Sequence, residues 1–384
     1  MNKKLALKLL FFATLSVLVP VFVACDSGGK DGDGSDGDTD GDTDGDTDGD
    51  TDSDAGPLGD DPLPEVNFPS STNPPGDLSV SKTPMFVMFA FDDNAFADSV
   101  TWFADLVKNK TNPDGTPVRA TFLLTGGYSD SGGDELVNIW KRLYSEGHEI
   151  GNHTWTHGDG IEKDKAWWTG ELTQTRDFFK DEMKIPTTAV WGFRTPFLKY
   201  KAVTFEVLDE LGLRYDCSVE YGYNVKSTEI ETGESYSWPY TLDDGAIYGS
   251  STAWGITFKA PGLWEIPVYT YNTPNAAETS VTTTTGFDFN LWKKLPDADT
   301  VLKTLKYSFD QRYRGNRSPF SLNAHSDYYS KDNTDVNDEF HCKDYLERRQ
   351  VLEDFLEYVR TFDEVRVVPI ISVLRWMNDP KPLN

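Results

Sequence analysis

The hydrophobic pattern divides the chain into an N-terminal part without a core pattern and a long C-terminal part that has one. From about residue 83 onward, short apolar runs of strand type alternate with longer segments of amphipathic helix type. Such alternation over this length predicts an α/β fold with a parallel sheet, either a (β/α) barrel or a doubly wound sheet.

The pattern predicts individual elements along the C-terminal part. The predicted strands are 85–93, 119–125, 149–154, 189–196, 214–219, 263–269, 320–325 and 364–370, and the predicted helices are 96–108, 134–146, 166–183, 201–211, 298–313 and 343–361. Gly147 and Gly212 follow two of these helices, where glycine is common as a C-terminal cap.

Two segments carry the candidate chemistry. The apolar run MFVMFAFDD ends in two carboxylates, Asp92 and Asp93, and the segment GHEIGNHTWTH places His153 and His157 four residues apart. An acidic pair alone is more typical of a turn, and a lone histidine pair is more often structural. Together, two imidazoles and one carboxylate form a ligand set for a divalent metal ion, and the second carboxylate can act as a base.

Other polar residues also end predicted strands. Arg194, Asp216 and His325 lie at or just past the ends of three of them. In a barrel, catalytic groups collect at the carboxyl ends of the strands. We therefore expect these residues to share one site with the acidic pair and the histidines.

The first 25 residues have the pattern of a targeting signal. A basic start is followed by an apolar stretch and by FVAC, which ends at Cys25. FVAC resembles the lipobox of bacterial lipoproteins, which implies that Cys25 is lipidated and anchors the protein to a membrane. A plain secretory signal is the alternative. Both interpretations predict an exported protein, either lipid-anchored in the cell envelope or secreted.

Residues 26–82 have the composition of a disordered tether. The segment repeats GDTD four times, holds 15 Asp and one Lys between residues 26 and 61, and continues with a Pro-rich linker. With almost no apolar residues the acidic segment cannot offset its ordering entropy, and like charges extend it. Calcium binding is an alternative, but the bidentate Glu of a calcium loop is absent.

Composition narrows the class of partner. A formal net charge of −27 argues against nucleic acid, because nothing offsets repulsion from phosphates. The 11 Trp, 17 Tyr and 23 Phe suit stacking on sugar rings, although ordinary core packing is an equal alternative. Cys217 and Cys342 can form a disulfide in an oxidising compartment or remain two thiols.

Five short segments, FAFDD, HTWTH, RTPF, YDCS and LNAH, resemble in order and spacing the motifs of the polysaccharide deacetylases (NodB homology, carbohydrate esterase family 4). WPYTLD, LWEIPV and VLRWMNDP resemble the chitin deacetylase branch. The resemblance covers about residues 83–380. It implies a distorted parallel (β/α) barrel with seven or eight strands, in a single catalytic domain over residues 83–384.

The resemblance also implies roles for the strand-end residues: Asp93, His153 and His157 as metal ligands, Asp92 as general base, Arg194 as the residue that orients it, His325 as general acid, and Asp216 as the carboxylate that tunes His325. The implied cofactor is a divalent metal ion, with zinc expected first and cobalt or another ion as alternatives. The expected substrate-binding residues are Pro196, Trp238, Tyr240 and Trp254, with packing of the loop as the alternative for the three aromatics.

The implied activity is hydrolysis of a C–N bond other than a peptide bond. We expect a monomeric enzyme that removes N-acetyl groups from an acetamido-sugar polymer, such as a chitin-like glycan, peptidoglycan or an exopolysaccharide. The alternatives are an O-acetyl xylan esterase on the same scaffold and a non-catalytic glycan-binding homologue.

Overall fold

The apolar run that precedes the acidic pair forms a central strand, and all eight of its residues are buried. The structure, a computed structural model, describes residues 58, 63–221, 233–247, 258–335, 338, 340 and 342–384. In chain order the strands are Met85–Asp92 (β1), Thr121–Leu124 (β2), Glu149–Asn152 (β3), Gly192–Phe193 (β4), Tyr215–Asp216 (β5), Tyr240–Leu242 (β6), Ala260–Glu265 (β7), Thr270–Pro274 (β8), Val281–Thr285 (β9), Phe320–His325 (β10) and Val365–Val367 (β11). The α-helices are Ala97–Val107 (α1), Ser129–Ser145 (α2), Lys165–Asp181 (α3), Ala202–Glu210 (α4), Asp288–Lys294 (α5), Ala298–Arg314 (α6), Tyr345–Val359 (α7) and Ile370–Asn378 (α8).

The main sheet is a curled, mostly parallel half-barrel. Its strand order is β10-β1-β2-β3-β4-β5-β7-β6, and β11 also pairs with β1. Every pairing in this sheet is parallel except that of β6 with β7. The predicted distorted (β/α) barrel in one domain is therefore confirmed. The antiparallel pair β8 and β9 and the helices α5 and α8 were not predicted.

Helix α8 lies against the strands at their amino ends. Its first two backbone N–H groups, those of Ile370 and Ile371, donate to Thr121 Oγ1 (3.0 Å) and Glu149 Oε2 (3.1 Å). Tyr215 also donates to Glu149 Oε1 at 2.8 Å. Side chains of β2 and β3 thus satisfy the unpaired N–H groups at the start of this helix.

Residues 63–77, here called the strap, pack on the domain. Leu63 is buried, and the ring of Phe68 lies 5.1 Å from that of Trp264. Thr241 of β6 donates its backbone N–H to the Phe68 carbonyl. The sequence assigned these residues to a disordered tether, and for the strap that assignment is wrong because two apolar side chains find partners far along the chain.

None of the helices in the described part of the chain has the length and apolar content that crossing a bilayer requires.

Candidate active site

Three side chains at the carboxyl ends of β1 and β3 form a compact donor set. Asp93 Oδ1 lies 3.0 Å from His157 Nε2 and 3.6 Å from His153 Nε2. One ligand atom from each residue lies within 4.8 Å of the other two. The structure thus brings together the three residues that the sequence predicted as metal ligands.

The backbone at these residues is strained. Asp93, Thr154 and His157 are non-glycine residues with positive φ angles of 66°, 70° and 53°. Such angles are rare, especially for a β-branched residue such as Thr154, and persist only where surrounding contacts hold them. The chain therefore maintains an unfavourable backbone at the point where the imidazoles and the carboxylate converge.

The donor set fits a divalent metal ion. His153 Nδ1 lies 2.8 Å from the Arg194 carbonyl, so this nitrogen carries the proton and Nε2 is left as a ligand atom. Burial lowers the pKa of His153 to about 4, which keeps the ring neutral. Asp93 Oδ1 is buried and accepts no well-aligned hydrogen bond from the residues that the structure describes. A small oxygen- and nitrogen-binding cation would satisfy it.

The second carboxylate, Asp92, is paired with a buried arginine. Arg194 Nη1 donates to Asp92 Oδ1 at 2.7 Å, and Nη2 donates to Asn323 Oδ1 at 2.7 Å. Arg194 Nε donates to the Cys217 carbonyl at 2.8 Å. Burial opposes the charge, but Asp92 raises the pKa of Arg194 above its usual value. The buried guanidinium thus holds the Asp92 carboxylate in a fixed orientation.

His325 is held by a carboxylate that the sequence did not identify. Its Nδ1 lies 2.8 Å from Asp288 Oδ1, and its backbone N–H donates to Asp288 Oδ2 at 2.7 Å. Burial would lower the pKa of His325, but the charge and hydrogen bond of Asp288 outweigh it and raise the pKa to about 10. His325 is therefore an imidazolium at neutral pH.

The prediction that Asp216 tunes His325 is wrong. Asp216 is fully buried at the end of β5 and accepts from the backbone N–H (2.9 Å) and hydroxyl (2.8 Å) of Ser218. Four strands lie between β5 and β10 in the sheet. Asp288 reaches His325 because it opens α5 beside β10. It has no strand-end pattern, so only its place in the fold identifies it.

The donor set, Asp92 and His325 line one cleft of about 370 Å³. Four Phe and Tyr residues also line it: the buried Phe287, Phe197, which is 58% exposed, Phe289, which is 43% exposed, and Tyr328. The Phe197 ring lies 4.7 Å from that of His157, and the Tyr328 ring stacks on His325 at 4.7 Å. Phe197 ends the RTPF segment and Tyr328 follows LNAH by three residues, but neither of them nor Phe289 was predicted to line the cleft.

Two of the expected substrate-binding residues lie elsewhere. Trp238 is fully buried and stacks on Trp376 of α8 at 5.9 Å, and Tyr240 is buried in β6. Both pack the core away from the cleft, so the expectation that they line it is wrong. Pro196 is buried between the cleft residues Thr195 and Phe197. Trp254 and Cys25 lie outside the described residues.

Cys217 is a free, buried thiol, and it donates to the Phe193 carbonyl at 3.3 Å. A disulfide between Cys217 and Cys342 is therefore excluded.

Comparison with known proteins finds a family match over part of the chain. Residues 80–215 match the family model for polysaccharide deacetylase. Chitin deacetylase 8 of Bombyx mori is 26% identical over 324 residues, which cover 82% of this chain and 76% of that protein. A chitin deacetylase of Pestalotiopsis sp is 31% identical over 171 residues, or 44% of this chain and 48% of that protein. A solved Mycobacterium smegmatis structure, described as a polysaccharide deacetylase, aligns with a TM-score of 0.52 at 16% identity and covers 82% of this chain and 99% of that one. The last match concerns the fold alone.

Proposed function

We propose that this chain is a metal-dependent hydrolase that removes N-acetyl groups from an acetamido-sugar polymer, because residues 80–215 match the family model for polysaccharide deacetylase. One observation carries the proposal. The donor set of Asp93, His153 and His157 shares one cleft with two further residues. Asp92, the proposed base, is paired with an arginine, and His325, the proposed acid, is paired with a carboxylate.

Asp93, His153 and His157 would hold the metal ion, and zinc suits their mixture of nitrogen and oxygen donors. When bound, such an ion supplies Lewis-acid polarisation of the acetyl carbonyl and activation of water. The proton transfers are carried out by side chains of the protein.

Two residues move protons in this proposal. Asp92, fixed by Arg194, accepts a proton from the attacking water. His325 is positively charged because Asp288 raises its pKa to about 10, so it can donate a proton to the leaving amine. The Nδ1 atom is engaged by Asp288, so Nε2 is the donating atom. The products are acetate and a free amino sugar.

The cleft supports a sugar polymer as the substrate class. Phe197 and Phe289 are two of the four large hydrophobic residues that are exposed in the described part of the chain. Aromatic faces flanking a polar centre suit sugar rings, which present both C–H and hydroxyl groups. The names of the two chitin deacetylase relatives agree with this class.

Acetate release from a small panel tests the proposal. The panel holds N-acetylated chitin oligosaccharides, peptidoglycan fragments and acetylated xylan, and mass spectrometry identifies the products. We expect loss of acetyl from nitrogen and a fall in rate of about 10²–10⁴-fold for Asp92→Asn. Release only from acetylxylan would favour the O-acetyl esterase, and full activity of Asp92→Asn would contradict the role of Asp92. No release from any substrate would favour the non-catalytic glycan-binding homologue.

We further propose that the protein is exported and lipid-anchored through Cys25, since FVAC follows a basic and apolar leader. Radiolabelled palmitate should enter the wild-type protein and not Cys25→Ser. An unlabelled, released wild-type protein would instead indicate plain secretion.

A further inference from the structure

The loop that carries His157 is fixed from outside the donor set by one buried carboxylate. Glu171 lies on α3 and is 8% exposed. Its Oε2 accepts the backbone N–H groups of Trp155 (2.9 Å) and Thr156 (2.7 Å). Its Oε1 accepts the Thr156 hydroxyl at 2.9 Å. Three hydrogen bonds from one side chain thus end on the two residues before His157.

Two glycines hydrogen-bond to the carbonyl groups of the same loop. The N–H groups of Gly126 and Gly127 donate to the carbonyls of Thr154 (3.0 Å) and Trp155 (2.9 Å). A Cβ atom at Gly127 would lie 2.5 Å from the Trp155 carbonyl oxygen, which is too close for any residue other than glycine unless the backbone shifts. The loop is therefore clamped between a glycine pair and the Glu171 carboxylate.

Such a clamp is needed because the loop is strained at both ends. Thr154 and His157 have positive φ angles of 70° and 53°, and neither is glycine. The loop would relax these angles if its hydrogen bonds were lost, and the His157 ring would then leave Asp93. Glu171 itself touches none of the three donor atoms, so it acts through the backbone alone.

We propose that Glu171 is a positioning residue for the metal centre, which sets metal affinity by holding the 154–157 loop in its strained conformation. The inference rests on the metal site of the proposed function. Loss of groups that orient metal ligands costs about 10–100-fold in metal affinity. We expect a loss of this size when Glu171 is removed.

Glu149 provides a matched control. It is also a buried glutamate that accepts three hydrogen bonds, from Thr121 Oγ1, Ile371 N and Tyr215 OH. It lies at the amino end of β3, whereas the donor set lies at the carboxyl end. Substitution of Glu149 therefore removes a comparable set of contacts without loosening the 154–157 loop.

The experiment titrates Zn²⁺ into the metal-stripped full chain in competition with a chromogenic chelator. The variants are Glu171→Ala, Glu171→Gln, Glu149→Ala and Glu149→Gln, each checked for folding by circular dichroism. We expect Zn²⁺ affinity to fall about 10–100-fold in Glu171→Ala, to fall less in Glu171→Gln, and to remain as in wild type in the Glu149 variants. The visible spectrum of bound Co²⁺ should change only in the Glu171 variants.

Wild-type affinity and an unchanged Co²⁺ spectrum in folded Glu171→Ala would overturn the inference. Where Glu171→Ala does not fold, Glu171→Gln decides, since weaker Zn²⁺ binding than in Glu149→Gln supports the inference and equal binding overturns it. Wild-type protein that binds no Zn²⁺ would overturn the metal site itself. Wild-type protein that binds Zn²⁺ but releases no acetate would overturn only the proposed activity.

Discussion

At the scale of single residues, the charge on His325 depends on Asp288. The carboxylate contacts both the ring and the backbone N–H of His325 and raises its pKa to about 10. In the proposed mechanism the protonated ring donates the proton, so activity should be lost as the pH rises through that value. In Asp288→Asn the pKa of His325 falls, and the alkaline limb of the kcat/KM profile should move to lower pH. We also expect kcat at neutral pH to fall at least about tenfold.

Asp216→Asn is the control for this profile. Asp216 is equally buried, but its oxygens contact Ser218 and not His325. Its substitution should leave the position of the alkaline limb unchanged. An alkaline limb that stays in place in Asp288→Asn would refute the pairing of Asp288 with the general acid.

The sequence predicted the residues whose chemistry is local. His153 and His157 are close in the chain, and Asp93 directly ends an apolar strand, so a pattern of types and spacing was enough. Asp288 carries no such pattern, because its role depends on where α5 packs against β10. Aromatic content also could not separate the buried Trp238 from the exposed Phe289, since the same ring serves a core and a binding surface.

At the scale of elements, α8 depends on residues of the sheet for its first hydrogen bonds. Glu149→Ala removes the acceptor of Ile371 N and of the Tyr215 hydroxyl, both of which are buried. Each unsatisfied group costs about 1–3 kcal/mol. In urea, the free energy of unfolding of Glu149→Ala should therefore be lower than that of wild type by at least the cost of one unsatisfied group. An unchanged midpoint would show that α8 does not need this carboxylate.

The strap makes a second element-scale prediction. Leu63 is 3% exposed, so Leu63→Ala should lower the free energy of unfolding by about 2–5 kcal/mol. Leu346, which is 63% exposed on α7, is the matched control, and Leu346→Ala should change it by less than about 0.5 kcal/mol. Equal urea midpoints for the two variants would mean that the strap contributes nothing to the folded domain.

Elements with a strong local pattern were predicted well. The predicted strand 320–325 coincides with β10, and the predicted helix 96–108 exceeds α1 by one residue at each end. The strap was missed because its Pro-rich composition is typical of a linker, whereas Phe68 is fixed by Thr241 and Trp264 from far along the chain. Contacts between residues this far apart in the sequence cannot be predicted from a local hydrophobic pattern.

At the scale of the whole molecule, metal binding should stabilise the folded state. A ligand that binds only the folded state adds about 2.7 kcal/mol of stability at a free concentration 100 times its Kd. Zn²⁺ at that excess should therefore raise the thermal midpoint of the stripped protein, and a chelator should reverse the rise and remove activity. Asp93→Asn should show neither response. A Zn²⁺-dependent rise that persists in this variant would place the ion elsewhere.

The start of the described chain, at Leu58, lies at the end of the sheet opposite the candidate active site. Leu58 lies in a groove with Pro84, Arg119 and Gly147, which precede β1, β2 and β3. Asp92 and His325 end their strands and so lie at the far end of the same sheet. A group attached at Leu58 would therefore sit at the base of the domain and would leave the cleft at the other end of the sheet uncovered.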